Sequence, residues 1–361
     1  MEQIMDIKKE KQTTIVEVNN NNHESTKEEF LSVLRLVAPG TNLRTGLNGI
    51  VDAKKGALIV VENDFINEIL DGGFKVNCRF TPQRIIELAK MDGAIVLSKD
   101  MKRVLFANVT LAPDNRIPTK ETGTRHKAAE RTAKMTGSLS IAISERKNEI
   151  NIYYKNMKYH LKTTGEILRS ASETLQILEK QRELFDVNIS RLHQMEINNE
   201  PNIRQAAKVI QKGKVMEKIL ESQEKTLIEL GNEAGALKLR IKELIKDVEK
   251  ETDLVIKDYT RLNIKKTKNI LETLAYEDLI DLDNIINALA QKETNHLDEI
   301  DGWRLLSKTS LSEKEIADVL SHHKNLGNII NAKAESFKRI IGDEKSQSFA
   351  KEIQRIKHLQ F

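Results

Sequence analysis

Cysteine is almost missing from this chain: Cys78 is the single one in 361 residues. One thiol cannot close an internal disulfide or build a cysteine-ligated zinc centre, and such sparing use suits a reducing compartment. Aromatic residues make up only 4%, so the core has to be mainly aliphatic and modest in size. No apolar run approaches the roughly 20 residues needed to span a bilayer, and the first residues lack the apolar core of a signal peptide. These absences lead us to expect a cytoplasmic protein without membrane contact. Charge of one sign is also lacking. The net charge is +4, too weak a global field to argue for nucleic acid, so any basic patch must be local.

What is present suffices for two or three domains. Residues 1–26 are polar, with an asparagine run at 19–22, and read as a disordered tail. Residues 27–156 read as a single α/β domain, a mixed sheet with flanking helices. Its first helix carries Phe30, Leu31, Leu34 and Val37 at helical spacing. Ala57 to Val61 and Ala94 to Leu97 are continuous apolar runs, as in strands buried on both faces. Val104 to Ala107 is expected to pair with the second of these, and Leu111 to lie in a loop beyond it. Thr81 caps and Pro82 opens another helix. Leu139 to Ile143 reads as a strand, and Glu149 to Tyr153 alternates like an edge strand.

From 157 to 295 we expect an all-α spine without strands. Leu168, Leu175, Leu178, Leu184 and Val187 recur at three- and four-residue steps. Leu227, Leu230, Ala234, Leu237, Ile241, Leu244 and Val248 do the same. Residues 296–361 carry short apolar clusters at 316–320, 326–330 and 337–341, with Trp303 as a core anchor.

The unusual stretch is Gly123 to Arg131. A glycine and a threonine lead into a helix whose first turn holds Arg125, His126 and Lys127. A helix start carries partial positive charge and favours acids. Cations there stop being costly when an anion joins them, since N–H groups and side chains then converge on it. The segment therefore reads as a polyphosphate site or as a solvated basic turn. Asp92 at the mouth of a buried strand could hold a divalent metal against phosphates. Gly93 beside it would allow close backbone approach. Ser144, ending a strand, could donate a hydroxyl. Each also reads as an ordinary turn residue.

Taken together, Met91-Asp92-Gly93-Ala94-Ile95, Thr122-Gly123-Thr124-Arg125-His126 and Ser144-Glu145-Arg146 resemble the diadenylate cyclase family. The flanks Val37-Ala38-Pro39-Gly40-Thr41, Asp71-Gly72-Gly73-Phe74 and Asn156-Met157-Lys158-Tyr159 are similar to its DNA-scanning branch. The resemblance implies that two ATP are condensed to cyclic di-AMP and two pyrophosphates between facing subunits. It implies Asp92 as catalytic residue and ligand of Mg²⁺ or Mn²⁺. It also implies ATP binding by Gly93, Leu111, Thr124, Arg125, His126, Lys127, Ala128 and Ser144. A homo-octamer and a C-terminal helix-hairpin-helix domain that grips branched DNA are implied too, and with DNA comes association with the nucleoid.

Departures are visible. The family motif reads Arg-His-Arg where this chain has Lys127, and a lysine loses the two-pronged grip on phosphate. Ala128 stands where this branch often has threonine. The hairpin expected at 342–348 has one glycine instead of two and carries two acids. Lys338, Arg339, Lys345, Lys351 and Arg355 are the basic side chains available for DNA phosphates. The alternative reading is a DNA-structure-binding protein with a weakened or inactive cyclase site.

Overall fold

The computed structural model describes residues 28–290 and 300–358, which form two compact units. The expected tail at 1–26 and the border at 295–296 lie outside these residues. The first unit runs to Ala171 and includes Lys225–Ala236; the second holds Ser172–Glu224 and continues from Leu237.

In the first unit, helix α1 (28–36) and α2 (Asn42–Asp52) precede strand β1 (Ala57–Val61). Then come β2 (Leu70–Asp71), β3 (Phe74–Arg79), α3 (Pro82–Leu88), β4 (Ala94–Leu97) and β5 (Arg103–Leu111). After α4 (Thr124–Thr136) follow β6 (Ser140–Ser144), β7 (Glu149–Tyr154) and β8 (Met157–Leu161). The sheet order is β2-β5-β4-β1-β6-β7-β8, with β3 also on β5. Only β1 and β4 pair in parallel. They are apolar on both faces because both faces are covered. Ile59, Ile95 and Ile141 pack with Leu47 and Ile50 of α2 and Ile85 of α3. Leu58, Val60 and Ala142 pack with Ala129 and Ala133 of α4.

Thr81 caps α3, its hydroxyl accepting from Arg84 N at 3.3 Å. Gly137 ends α4 in the left-handed region at φ 71°, as a glycine past a helix end commonly does.

Three expectations fail here. β7 is not an edge strand, since it pairs with β6 and with β8. The sheet does not stop at 156, because Met157–Leu161 is its last strand. The polar alternation of Lys158 and His160 had hidden it. Leu111 does not lie in a loop: it is the last residue of β5, paired with Leu70.

The second unit is all helical. Helix α5 (Thr164–Ile197) and α6 (Ile203–Glu229) each begin or end in the first unit. Next come α7 (Gly235–Ile245), α8 (Val248–Tyr259), α9 (Ile264–Thr273) and α10 (Leu282–Ala288). The buried stripe on α5 is Leu178, Phe185 and Leu192, whereas Leu168 and Val187 are exposed. The apolar repeat from 227 to 248 is not one helix. It is cut by a 3₁₀ turn at Gly231–Ala234 and by Asp247 at φ 64°.

The C-terminal helices are α11 (Trp303–Leu306), α12 (Glu313–His323), α13 (Leu326–Asn331), α14 (Ala334–Ile341) and α15 (Asp343–His358). Ile316, Ile329, Phe337 and Phe349 form their own core. The hairpin expected at 342–348 is absent as a loop. Gly342 alone, at φ 84°, joins α14 to α15, and 343–348 already belong to α15.

Arg304 is fully buried and ion-paired with Glu196, itself 1% exposed. The Tyr259 hydroxyl donates to the same carboxylate at 3.1 Å. Asp258 accepts from the backbone N–H groups of Gly302, Trp303 and Arg304 at 3.0, 2.6 and 2.9 Å. A buried pair is rarely better than an apolar substitute, but losing one partner strands the other charge. Arg304→Met should therefore lower stability by about 3–5 kcal/mol, read as a shifted denaturant midpoint. Glu196→Leu in the same chain should recover much of the loss.

Candidate functional site

Strand register decides what gathers at one edge of the sheet. Leu58 lies opposite Ala94, Ala57 opposite Ile143, and Ala94 opposite Val109. Gly56, Asp92-Gly93, the end of β5 and Ser144 therefore share that edge.

Helix α4 opens there as well. Its N-cap is Gly123, which offers no side-chain bond, and its first turn contains no acid. The leading N–H groups of a helix have no partners within it. A cleft of about 660 Å³ lies at this helix start, lined by Thr124, Arg125, His126, Ser144, Glu121 and Lys158 among others. Burial lowers the His126 pKa, helped by Arg125 and Lys158 and opposed by Glu121 and Glu149. Burial thus disfavours the imidazolium, and Arg125 is the charged side chain of this turn that lines the cleft. The Ser144 hydroxyl accepts from Lys147 N at 3.3 Å, which leaves its proton available to a ligand.

The segment before α4 is strapped onto that helix. Arg131 donates to Ile117 O at 3.0 Å and to Asn115 Oδ1 at 2.8 Å. Lys134 bonds Pro118 O at 2.8 Å and Glu130 at 2.6 Å, and Thr119 donates to Glu130. This strap delivers Glu121 to the cleft, where it pairs with Lys158 of β8.

The structure thus brings Thr124, Arg125, His126 and Ser144 into one cleft. Asp92, Gly93 and Leu111 occupy the same sheet edge without lining it, and neither do Lys127 and Ala128. Lys127 is half-buried, and Ala128 packs on the cluster beneath α4. Gly93 has a reason of its own to be glycine. It sits at φ 83°, and a Cβ there would meet the Asn108 and Val109 backbone at 2.8–3.0 Å.

Sequence reasoning missed three contributors: Glu121, Lys158 and Gly56. The Arg125 guanidinium lies across Gly56, where any Cβ would collide with it. The one available signal was a glycine immediately before a buried strand. Among the described residues no group of three His, Cys, Asp or Glu could hold a metal. No described helix is long and apolar enough to cross a membrane.

Residues 44–158 match the family described as DisA bacterial checkpoint controller nucleotide-binding. Residues 161–297 match the DisA bacterial checkpoint controller linker region. Fold and cleft thus define a nucleotide-binding α/β domain continued by a helical linker. Proteins named DNA integrity scanning protein DisA align along most of the chain. The one from Acetivibrio thermocellus is 39% identical, covering 87% of this chain and 90% of its own length. That of Bacillus subtilis is 39% identical, covering 91% and 94%. That of Clostridium botulinum is 35% identical, covering 91% and 96%. The chain belongs to the DisA family.

Gly56→Ala tests the cleft without touching its ligating groups. What the new methyl displaces is the flexible end of a side chain, so the melting temperature should hardly change. Pyrophosphate affinity should fall by about tenfold, the scale of one hydrogen bond to a charged group, as read by titration calorimetry.

Proposed function

We propose that the protein is a diadenylate cyclase, joining two ATP into cyclic di-AMP with release of two pyrophosphates. The observation that carries this is the cleft where the uncapped, cationic start of α4 meets Ser144. Phosphoryl transfer needs positioning and charge neutralisation above all. Thr124 and the free N–H groups of α4 hold phosphate oxygens, Arg125 neutralises them, and Ser144 donates a hydroxyl. His126 fixes orientation by hydrogen bonding. Each ribose 3′-oxygen bonds to the α-phosphorus of the facing nucleotide as the bond to pyrophosphate breaks. The hydroxyl proton leaves towards Asp92. One cleft holds one nucleotide, so two copies must face each other, and an octamer is the assembly we infer from the family.

Asp92 is exposed at the mouth of β4. A lone carboxylate suits Mg²⁺ or Mn²⁺, which are commonly held by one or two carboxylates together with substrate phosphates. Asp92 would hold such an ion, and the ion would neutralise charge on the triphosphate. Gly93 and Leu111 lie where the nucleoside would extend from it. Lys127 and Ala128, next on α4, would meet the nucleotide beyond the residues that line the cleft.

We infer that branched DNA is contacted by α14 and α15. Of the five basic side chains named above for DNA, Lys338 pairs with Asp343 at 2.8 Å and Lys345 with Glu315 at 2.5 Å. Among the described residues Arg339, Lys351 and Arg355 form no ion pair and are exposed. They are the better candidates for phosphate, and such binding would place the protein on the nucleoid.

The test is purified protein with ATP and Mn²⁺, with the products separated by chromatography. Cyclic di-AMP is expected, and Asp92→Asn should abolish it while leaving the oligomer intact. Absence of product from properly assembled protein would refute the assignment. ATP binding without turnover, together with tight binding of four-way-junction DNA, would favour the DNA-binding alternative. Replacing Arg339, Lys351 and Arg355 by alanine should weaken junction binding and reduce its salt slope by about 2–3.

A further inference from the structure

We propose that Lys158 is a phosphate-binding cation held in reserve by Glu121, and that exchange of this carboxylate for polyphosphate sets how much charge a ligand must bring. This rests on reading the cleft as the ATP site. Lys158 stands on β8 opposite Tyr153 and lines the same cleft as Arg125, His126 and Ser144. Lys127, which follows His126 in the first turn of α4, does not. Arg146 and Lys147 also line it, but from the exposed β6–β7 turn.

The two partners of the pair differ in access. The Lys158 side chain is 51% exposed and that of Glu121 only 14%. The ammonium is therefore the partner an incoming ligand reaches. Glu121 stays where the strap holds it, its own N–H donating to Thr119 Oγ1 at 3.1 Å.

A part-exposed ion pair is a weak bond. A triphosphate offers several charges and many acceptors, and bonds to ionised phosphate are the strong kind. Lys158 is thus drawn from one carboxylate to a more highly charged partner. A phosphodiester carries one charge and competes with Glu121 on nearly equal terms, and a monophosphate brings less charge than a triphosphate. The pair accordingly favours ATP over AMP. Once pyrophosphate leaves, Glu121 recaptures Lys158, so the singly charged phosphodiesters of the product are held less tightly than the substrate.

Two substitutions break the same pair but must act differently on affinity. ATP, pyrophosphate and AMP are titrated calorimetrically into the full chain and its variants. Lys158→Gln should weaken ATP and pyrophosphate by about tenfold. Glu121→Gln, which frees the lysine, should leave ATP equal or tighter and tighten AMP most, so that the ATP-to-AMP preference narrows. Melting temperatures of the two ligand-free variants should fall by similar small amounts. Equal losses of affinity in both variants, or no change in either, would overturn the exchange and leave a merely structural pair. Wild-type protein that binds neither ATP nor pyrophosphate would overturn the reading of the cleft along with it.

Discussion

The first turn of α4 presents unpartnered N–H groups and a guanidinium to the same space, and its N-cap glycine offers no side chain to satisfy them. A helix usually resolves this with a serine, threonine or acid at its start. This one leaves the positive end open at the edge of a sheet. Gly137 stops the helix behind it, and Ala129 and Ala133 let it lie close on β1 and β6. The strap formed by Arg131, Lys134 and Glu130 ties the preceding segment to the helix flank. The open end is thus aimed by packing on one side and by hydrogen bonds on the other.

Around this opening, small residues decide where charge can sit. Gly56 lacks a side chain so that Arg125 can cross over the start of β1. Gly73 and Gly93 both press on the backbone near Asn108, which itself lies at φ 52°. That crowding holds the start of β4, and with it Asp92, against the end of β5. The two kinds of glycine differ physically. Gly93 is needed by the backbone, so its replacement strains the fold, whereas Gly56 is needed by a neighbouring side chain, so its replacement moves a charge.

Much of the α/β domain was legible because its signals are local. Continuous apolar runs marked β1 and β4, and Thr81-Pro82 marked the start of α3. What was not legible depended on pairing. Met157–Leu161 carries Lys158 and His160 on its polar face and follows a turn, so its period did not separate it from the helix beyond. Leu111 belongs to a strand only because Leu70 pairs with it. In the helical unit, leucines at three- and four-residue steps suggested more buried positions than helix ends and breaks allow. On α5 the buried stripe runs every seventh residue through Leu178, Phe185 and Leu192, and Leu168 and Val187 lie off it, exposed.

The same distinction governs the site. Helix chemistry could be read from the order Gly-Thr-Arg-His-Lys, because capping and the helix dipole are properties of consecutive residues. Which side chains line the cleft could not. Successive helix positions point about 100° apart, so Arg125 and His126 line the cleft while Lys127 turns away into half-buried packing. Lys158, 31 positions later in the chain, takes a place in the cleft because β8 completes the sheet beside β7. Lys127, where the family motif has arginine, is thus outside the lining of this cleft, whereas Lys158, paired with Glu121, is part of it. A family motif marks where a site begins. Strand order and register determine which distant cations complete it.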